Sequence, residues 1–173
     1  MIGIVDYGLG NIQAFANIFK RLGLAVMLAR TSDELAQATH IVLPGVGAFD
    51  WAMERLEASG MRPALDALVL EHKRPILGVC VGMQMMAARS DEGSARGLGW
   101  LDAEVRRFDE ARIQSRTHLP HMGWNDVRPR SEEPLFRGLE KEARFYFLHS
   151  YYFAPNDPQD TIATADYGDR FAC

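Results

Sequence analysis

The sequence predicts an α/β protein: an open, doubly wound, mainly parallel sheet with an antiparallel extension in the C-terminal half. Three observations predict it. Short apolar runs alternate four times with helix-patterned segments before Ser90. That order places helices on both faces of a parallel sheet. Glycine-bearing turns follow three of the apolar runs, "DYGLGN", "PGVGAF" and "GVCVGMQ". Such sheets open their ligand crevice at those strand ends. After Ser90 the helical period gives way to extended segments with turns between them.

Each element has its own signal. "MIGIVDY" is a short apolar run and reads as a buried strand. In "NIQAFANIFKRLG", Ile12, Phe15, Ala16, Phe19 and Leu22 recur at helical spacing, and Gly23 is a stop. "LAVMLAR" reads as the second strand. "TSDELAQA" opens with capping residues and reads as a short helix. "HIVLPGVG" is the third strand, ended by a Pro-Gly turn. From Ala48 to about Lys73 the pattern is helical in two pieces. "SGMRP" breaks it, and Pro63 suits a first helical turn. "PILGVC" is the fourth strand and "VGMQMMAARS" a helix. "SDEGSARGLG" is a polar loop, and "WLDAEVRRF", "HMGWNDVRP", "EARFYFLHSYYFAP" and "DTIATADYG" read as extended segments.

The 173 residues suffice for one domain with a substantial core, and the reading is a single domain over 1–173. A net charge of −4 without a long basic run gives no case for nucleic acid. No apolar run is long enough to span a bilayer, so no membrane partner is expected. The N-terminus has no basic segment ahead of its apolar run, which Asp6 interrupts, so no signal peptide is expected. Two cysteines do not make a disulfide framework. A reducing cytoplasm is the expected location, with Cys80 a free thiol.

Cys80 stands between two glycines in "GVCVG", residues 78–82. That is the form of a nucleophile elbow, with cysteine in the serine position. Glycine two positions away on either side avoids crowding the nucleophile. The helix that follows directs free N–H groups toward the sulfur, which favours the thiolate. The same groups, chiefly that of Val81, can hold an oxyanion. Gln84 lies about one helical turn on and can line the same pocket. A buried cysteine in a glycine-rich turn is the competing reading. Met83, Met85 and Met86 read as core packing.

Taken together, the motifs resemble a known family. "GVCVGMQ" resembles the nucleophile motif of class I (triad-type) glutamine amidotransferases, and "PGVGAF" at 44–49 resembles their oxyanion loop. "IVDYGLGN", "PHMGWN" and "YFLHSYY" resemble one branch, the glutaminase subunits of imidazole glycerol phosphate synthase. The motifs run in order along essentially the whole chain. The resemblance implies a flavodoxin-like sheet and no cofactor or metal. It implies glutamine hydrolysis through a cysteine thioester in histidine biosynthesis. The ammonia would pass to a (β/α)8 cyclase subunit in a heterodimer, yielding imidazole glycerol phosphate and an aminoimidazole carboxamide ribonucleotide.

The resemblance also implies roles. Cys80 matches the nucleophile. Gly45 and Gly47 match the glutamine-binding and oxyanion loop, whose amide flips cheaply at glycine. Val81 supplies a backbone N–H and Gln84 contacts L-glutamine. His149, Ser150 and Tyr151 match the segment that holds the amino-acid end of the substrate. Tyr7, Asn11, Met122, Trp124 and Asn125 match the side facing the cyclase, as does the loop carrying His118 and His121. Trp124 as a core aromatic and Asn11 as a helix N-cap are the competing readings.

The pattern departs from the family in one respect. Its members carry a further strand and an "HPE" segment that supplies the triad histidine and glutamate, and "HPE" does not occur here. The domain therefore reads as lacking its C-terminal strand and helix, and hydrolysis by these residues alone is expected to be severely impaired. Three alternatives follow at this stage: a glutaminase whose natural chain continues, a non-catalytic amidotransferase-like binding subunit, and a paralogue supplying ammonia for surface-sugar modification.

Overall fold

A computed structural model describes residues 1–114, 118–131, 133–139 and 141–173. The first half runs β1 (Ile2–Val5), α1 (Ile12–Arg21), β2 (Val26–Ala29), α2 (Ser32–Ala36), β3 (His40–Pro44), α3 (Phe49–Ala58), α4 (Arg62–Asp66), β4 (Ile76–Val79) and α5 (Val81–Gln84). A π-helical turn at Ala67–Glu71 extends α4. The second half runs β5 (Arg89–Ser90), β6 (Ala103–Arg107), β7 (His121–Asp126), β8 (Arg128–Pro129), β9 (Arg144–His149), β10 (Tyr151–Pro155), β11 (Ala163–Tyr167) and β12 (Asp169–Ala172).

Strands β1 to β4 form a parallel sheet in the order β2-β1-β3-β4. Strand side chains alternate between faces, and β3 displays both. Val42 packs with Ile4 and the α1 residues Ala16, Ile12 and Phe15 on one face. Ile41 and Leu43 pack with Leu35, Phe49, Leu56 and Leu65, from α2, α3 and α4, on the other. The sheet is therefore covered on both sides, as a continuous apolar run such as "IVL" requires. Caps fall where the sequence puts them: Asn11 Oδ1 accepts from the Ala14 N–H, and Thr31 Oγ1 from the Glu34 N–H.

The extension is a mainly antiparallel sheet in the order β5-β6-β10-β12-β11-β8, beside a two-stranded antiparallel ribbon of β7 and β9. It has its own core around Phe108, Val127, Ala165 and Phe171. One expected helix is much shorter than "VGMQMMAARS" suggests. The residues after α5 leave the helical path because their backbone has other partners. Ala88 N–H donates to the Ala103 carbonyl, and Arg89 and Ser90 pair with β6. The elbow is thus tied directly to the second sheet. Among the described residues no helix is long and apolar enough to cross a membrane.

Candidate active site

Cys80 follows β4 and caps α5 with φ 56° and ψ −123°. Among the described non-glycine residues only Lys73 shares a positive φ. Such a conformation costs about 1–3 kcal/mol, and surrounding structure has to enforce it. The flanking glycines show how. A Cβ on Gly78 would lie 2.5 Å from Met83 Cα, and one on Gly82 would overlap the Leu43 carbonyl. These glycines let α5 fold back against β3 and β4. Backbone approach thus requires glycine at both positions.

The turn after β3, which the resemblance assigns to the oxyanion, lies against the elbow. A Cβ on Gly45 would overlap the Gly82 amide and sit 3.1 Å from Val81 Cβ. Gly47 has φ 87° in open space, so its freedom is a matter of backbone conformation alone. Tyr7, expected on the partner-facing side, is buried at 2% exposure instead. Its hydroxyl donates to the Pro44 carbonyl at 2.7 Å and approaches Met85 Sδ. It braces the end of β3 just before Gly45, and burial raises its pKa.

Cys80 opens on a cavity of about 260 Å³ lined by Gln84, Leu148, His149, Tyr151 and Phe171 among others. Gln84 is buried, and its Nε2 donates to the Tyr151 carbonyl at 3.1 Å. His149 Nδ1 lies 2.7 Å from the same oxygen. Ser150 accepts the Phe108 N–H through its carbonyl. The structure thus brings Cys80, Val81, Gln84, His149 and Tyr151 together at the end of β4, with Gly45 packed against the elbow. Among the described residues no histidine is hydrogen-bonded to Cys80. The proton shuttle that the resemblance assigns to a His-Glu segment is not drawn from them.

The electrostatics differ from the helix-tip expectation. The thiol is accessible at the cavity mouth, yet its pKa is raised. Desolvation by the surrounding protein is the main cause, the Val81 N–H acts in the opposite direction, and the Glu92 carboxylate adds to the rise. Burial outweighs the helix tip because α5 has only one turn to offer. Glu92 is a site residue the sequence did not single out. Its Oε2 accepts the Phe49 N–H at 2.9 Å, which ties the polar loop to the start of α3. Glu92→Gln keeps that acceptor and removes the charge. We expect it to lower the Cys80 pKa and speed iodoacetamide alkylation at pH 7 by about twofold or more. Cys173, whose thiol burial pushes up to about 11, is the internal reference. An unchanged rate means that the Glu92 charge does not act on the sulfur.

The β7–β9 ribbon borders the cavity with two unlike faces. Met122 pairs with Leu148 and Trp124 with Tyr146. All four are more than half exposed, from 55% to 64%. Trp124 and Tyr146 rings meet edge-on at 5.8 Å. Trp124 is therefore not a core aromatic. Tyr146 and Leu148 also escaped the sequence reading, although period-two alternation in "YFLHSYY" carries the signal. Asn125 lies on the opposite face. Its Nδ2 donates to the Asp166 carbonyl at 2.9 Å and lies 3.2 Å from His121 Nε2. His121, expected in the partner-facing loop, is 4% exposed. Asn11 is exposed as well as capping α1.

Together these features define a doubly wound α/β protein with a strained cysteine elbow over a cavity at the strand ends. The family model for class-I glutamine amidotransferases matches residues 3–172. The imidazole glycerol phosphate synthase subunit HisH of Bdellovibrio bacteriovorus is 58% identical over 173 residues, covering 100% of this chain and 85% of that protein. The HisH subunit of Leptospira interrogans is 47% identical over the same shares. A crystal structure of a glutamine amidotransferase aligns with a TM-score of 0.68 at 17% identity, over 97% of this chain and 85% of that one. The chain belongs to the class-I glutamine amidotransferases, in the family of the HisH subunits of imidazole glycerol phosphate synthase.

Proposed function

We propose that Cys80 is the nucleophile of a glutaminase that feeds ammonia to the cyclase subunit of an imidazole glycerol phosphate synthase in the cytoplasm. The observation that carries this reading is the strained elbow of Cys80, opening on a cavity walled by Gln84, His149 and Tyr151. The thiolate attacks the side-chain amide carbon of L-glutamine. The carbonyl oxygen becomes an oxyanion within reach of the Val81 N–H and the Gly45–Gly47 loop. The C–N bond then breaks, the nitrogen takes a proton and leaves as ammonia, and a γ-glutamyl thioester remains. Water cleaves the thioester to glutamate and restores the thiol. The 149–151 turn holds the amino-acid end of the substrate.

Met122, Trp124, Tyr146 and Leu148 form the face that docks the cyclase. A contiguous exposed apolar surface of this kind is characteristic of an interaction site. The names of the relatives, which are subunits of a synthase, support that partner. Asn11, exposed at the head of α1, is a further candidate contact for the cyclase. Asn125 supports the ribbon from behind.

Trp124→Ala is the direct test of the docking face. Because the ring is 64% exposed, stability should fall by less than about 1 kcal/mol. Glutamine-dependent synthesis with the cyclase should fall well below the wild-type rate, and cyclase affinity should weaken. A variant that melts early but still couples normally counts against the assignment.

A further inference from the structure

His121 and His149 form a pair that the chemistry above does not use. His121 Nδ1 and His149 Nε2 are 3.2 Å apart. The His121 ring is stacked between Phe147, centroids 4.8 Å apart, and Tyr167, at 4.0 Å. Phe171 meets both imidazoles edge-on. The pair is thus clamped in an aromatic box that continues the wall of the Cys80 cavity.

The proton positions along this chain follow from its ends. A carbonyl oxygen only accepts, so His149 Nδ1, 2.7 Å from the Tyr151 oxygen, must carry a hydrogen. A neutral imidazole then has an acceptor at Nε2, which the His121 Nδ1 must fill as donor. His121 Nε2 is left as an acceptor, and the Asn125 amide N–H meets it. The Asn125 amide is fixed in turn, since its other N–H serves the Asp166 carbonyl and its oxygen accepts the Asp126 N–H. Every ring nitrogen has a partner only when both histidines are neutral and protonated at Nδ1. Burial favours that neutral state, and it holds the His121 pKa down to about 4. His149 is lowered as well.

The chain ends on one atom. The Tyr151 carbonyl receives His149 on one side and Gln84 on the other, which uses both of its lone pairs. Its peptide plane is therefore set from two directions. We propose that His121 is a positioning residue for glutamine: through the His149 tautomer it fixes the 149–151 turn against which the substrate binds. This rests on the reading of the Cys80 cavity as the glutamine site.

Two measurements test it. In the wild-type full chain, two-bond proton–nitrogen NMR correlations should report both imidazoles as Nδ1–H tautomers, the minority form for free histidine. An Nε2–H signal for either ring overturns the inference without touching the glutamine-site reading. The second measurement is glutamine affinity by calorimetry in a Cys80→Ala background, which prevents turnover. His121→Leu removes the donor to His149 and should weaken binding about tenfold. His121→Asn loses the same stacking but returns an amide N–H near the Nδ1 position, and should retain binding within about threefold. Equal weakening by both variants, or by neither, overturns the positioning role. No glutamine binding by Cys80→Ala itself overturns the glutamine-site reading, and this inference with it.

Discussion

Gly82→Ala should be the most destabilising single methyl in the first half of the chain. The expected loss is about 3 kcal/mol or more, at the top of the range for overpacking a rigid site. A Cβ there would overlap the Leu43 carbonyl oxygen and lie 2.8 Å from its carbon and 3.0 Å from Pro44 C. All of these are backbone atoms in or beside β3, at the centre of the parallel sheet, and none can rotate away. Relief requires α5 to lift off the sheet, which carries Val81 N–H and Cys80 with it. Gly60→Ala is the control. Gly60 has φ 70° and nothing within 4 Å of the added methyl, so only the conformational penalty of about 1 kcal/mol applies. Urea denaturation of the two variants should separate them clearly. Equal losses would mean that α5 gives way to the methyl at little cost, and that its close approach to β3 does not make glycine necessary at 82.

Why the elbow was legible in the sequence and its surroundings were not is a matter of range. "GVCVG" states a local conformation, and the parallel strands announce themselves as continuous apolar runs between capped helices. Those signals are decided within a few residues. Tyr7 was misplaced because its partner, the Pro44 carbonyl, is 37 positions away. The length of α5 was overestimated because a pairing with β6 draws its last residues out of the helix. Glu92 acts on the thiol only through its charge, from a loop latched to α3, where Asp50 accepts the Ser94 and Ala95 N–H groups. His121 and Asn125 sit in a motif that reads as partner-facing, yet alternation along β7 turns them inward while Met122 and Trp124 face out. Placement on the strand is visible in sequence. Which of the two faces meets the core is fixed only by the pairing with β9 and the packing of Tyr167 and Phe171 behind it.

Cys80→Ala should cost the most activity for the least structure. The thiol is the only group removed, Cys80 is exposed and unbridged, and among the described residues no side-chain hydrogen bond to it is found. Alanine keeps the same strained backbone, so the unfolding midpoint should shift by less than about 1 kcal/mol in stability. In a chain that also carries the His-Glu segment, glutamine-dependent turnover with the cyclase should fall by at least about 10³-fold, the scale of losing a covalent nucleophile. Synthesis driven by added ammonium should continue at the wild-type rate, because the proposed docking face on the β7–β9 ribbon is untouched. That contrast separates chemistry from assembly in a way Gly82→Ala cannot, since lifting α5 would damage both. If glutamine-dependent turnover survives in Cys80→Ala, the ammonia is not released at this sulfur. If ammonium-dependent synthesis falls along with it, the elbow also helps to hold the partner, and the separation between the catalytic edge and the docking face is wrong.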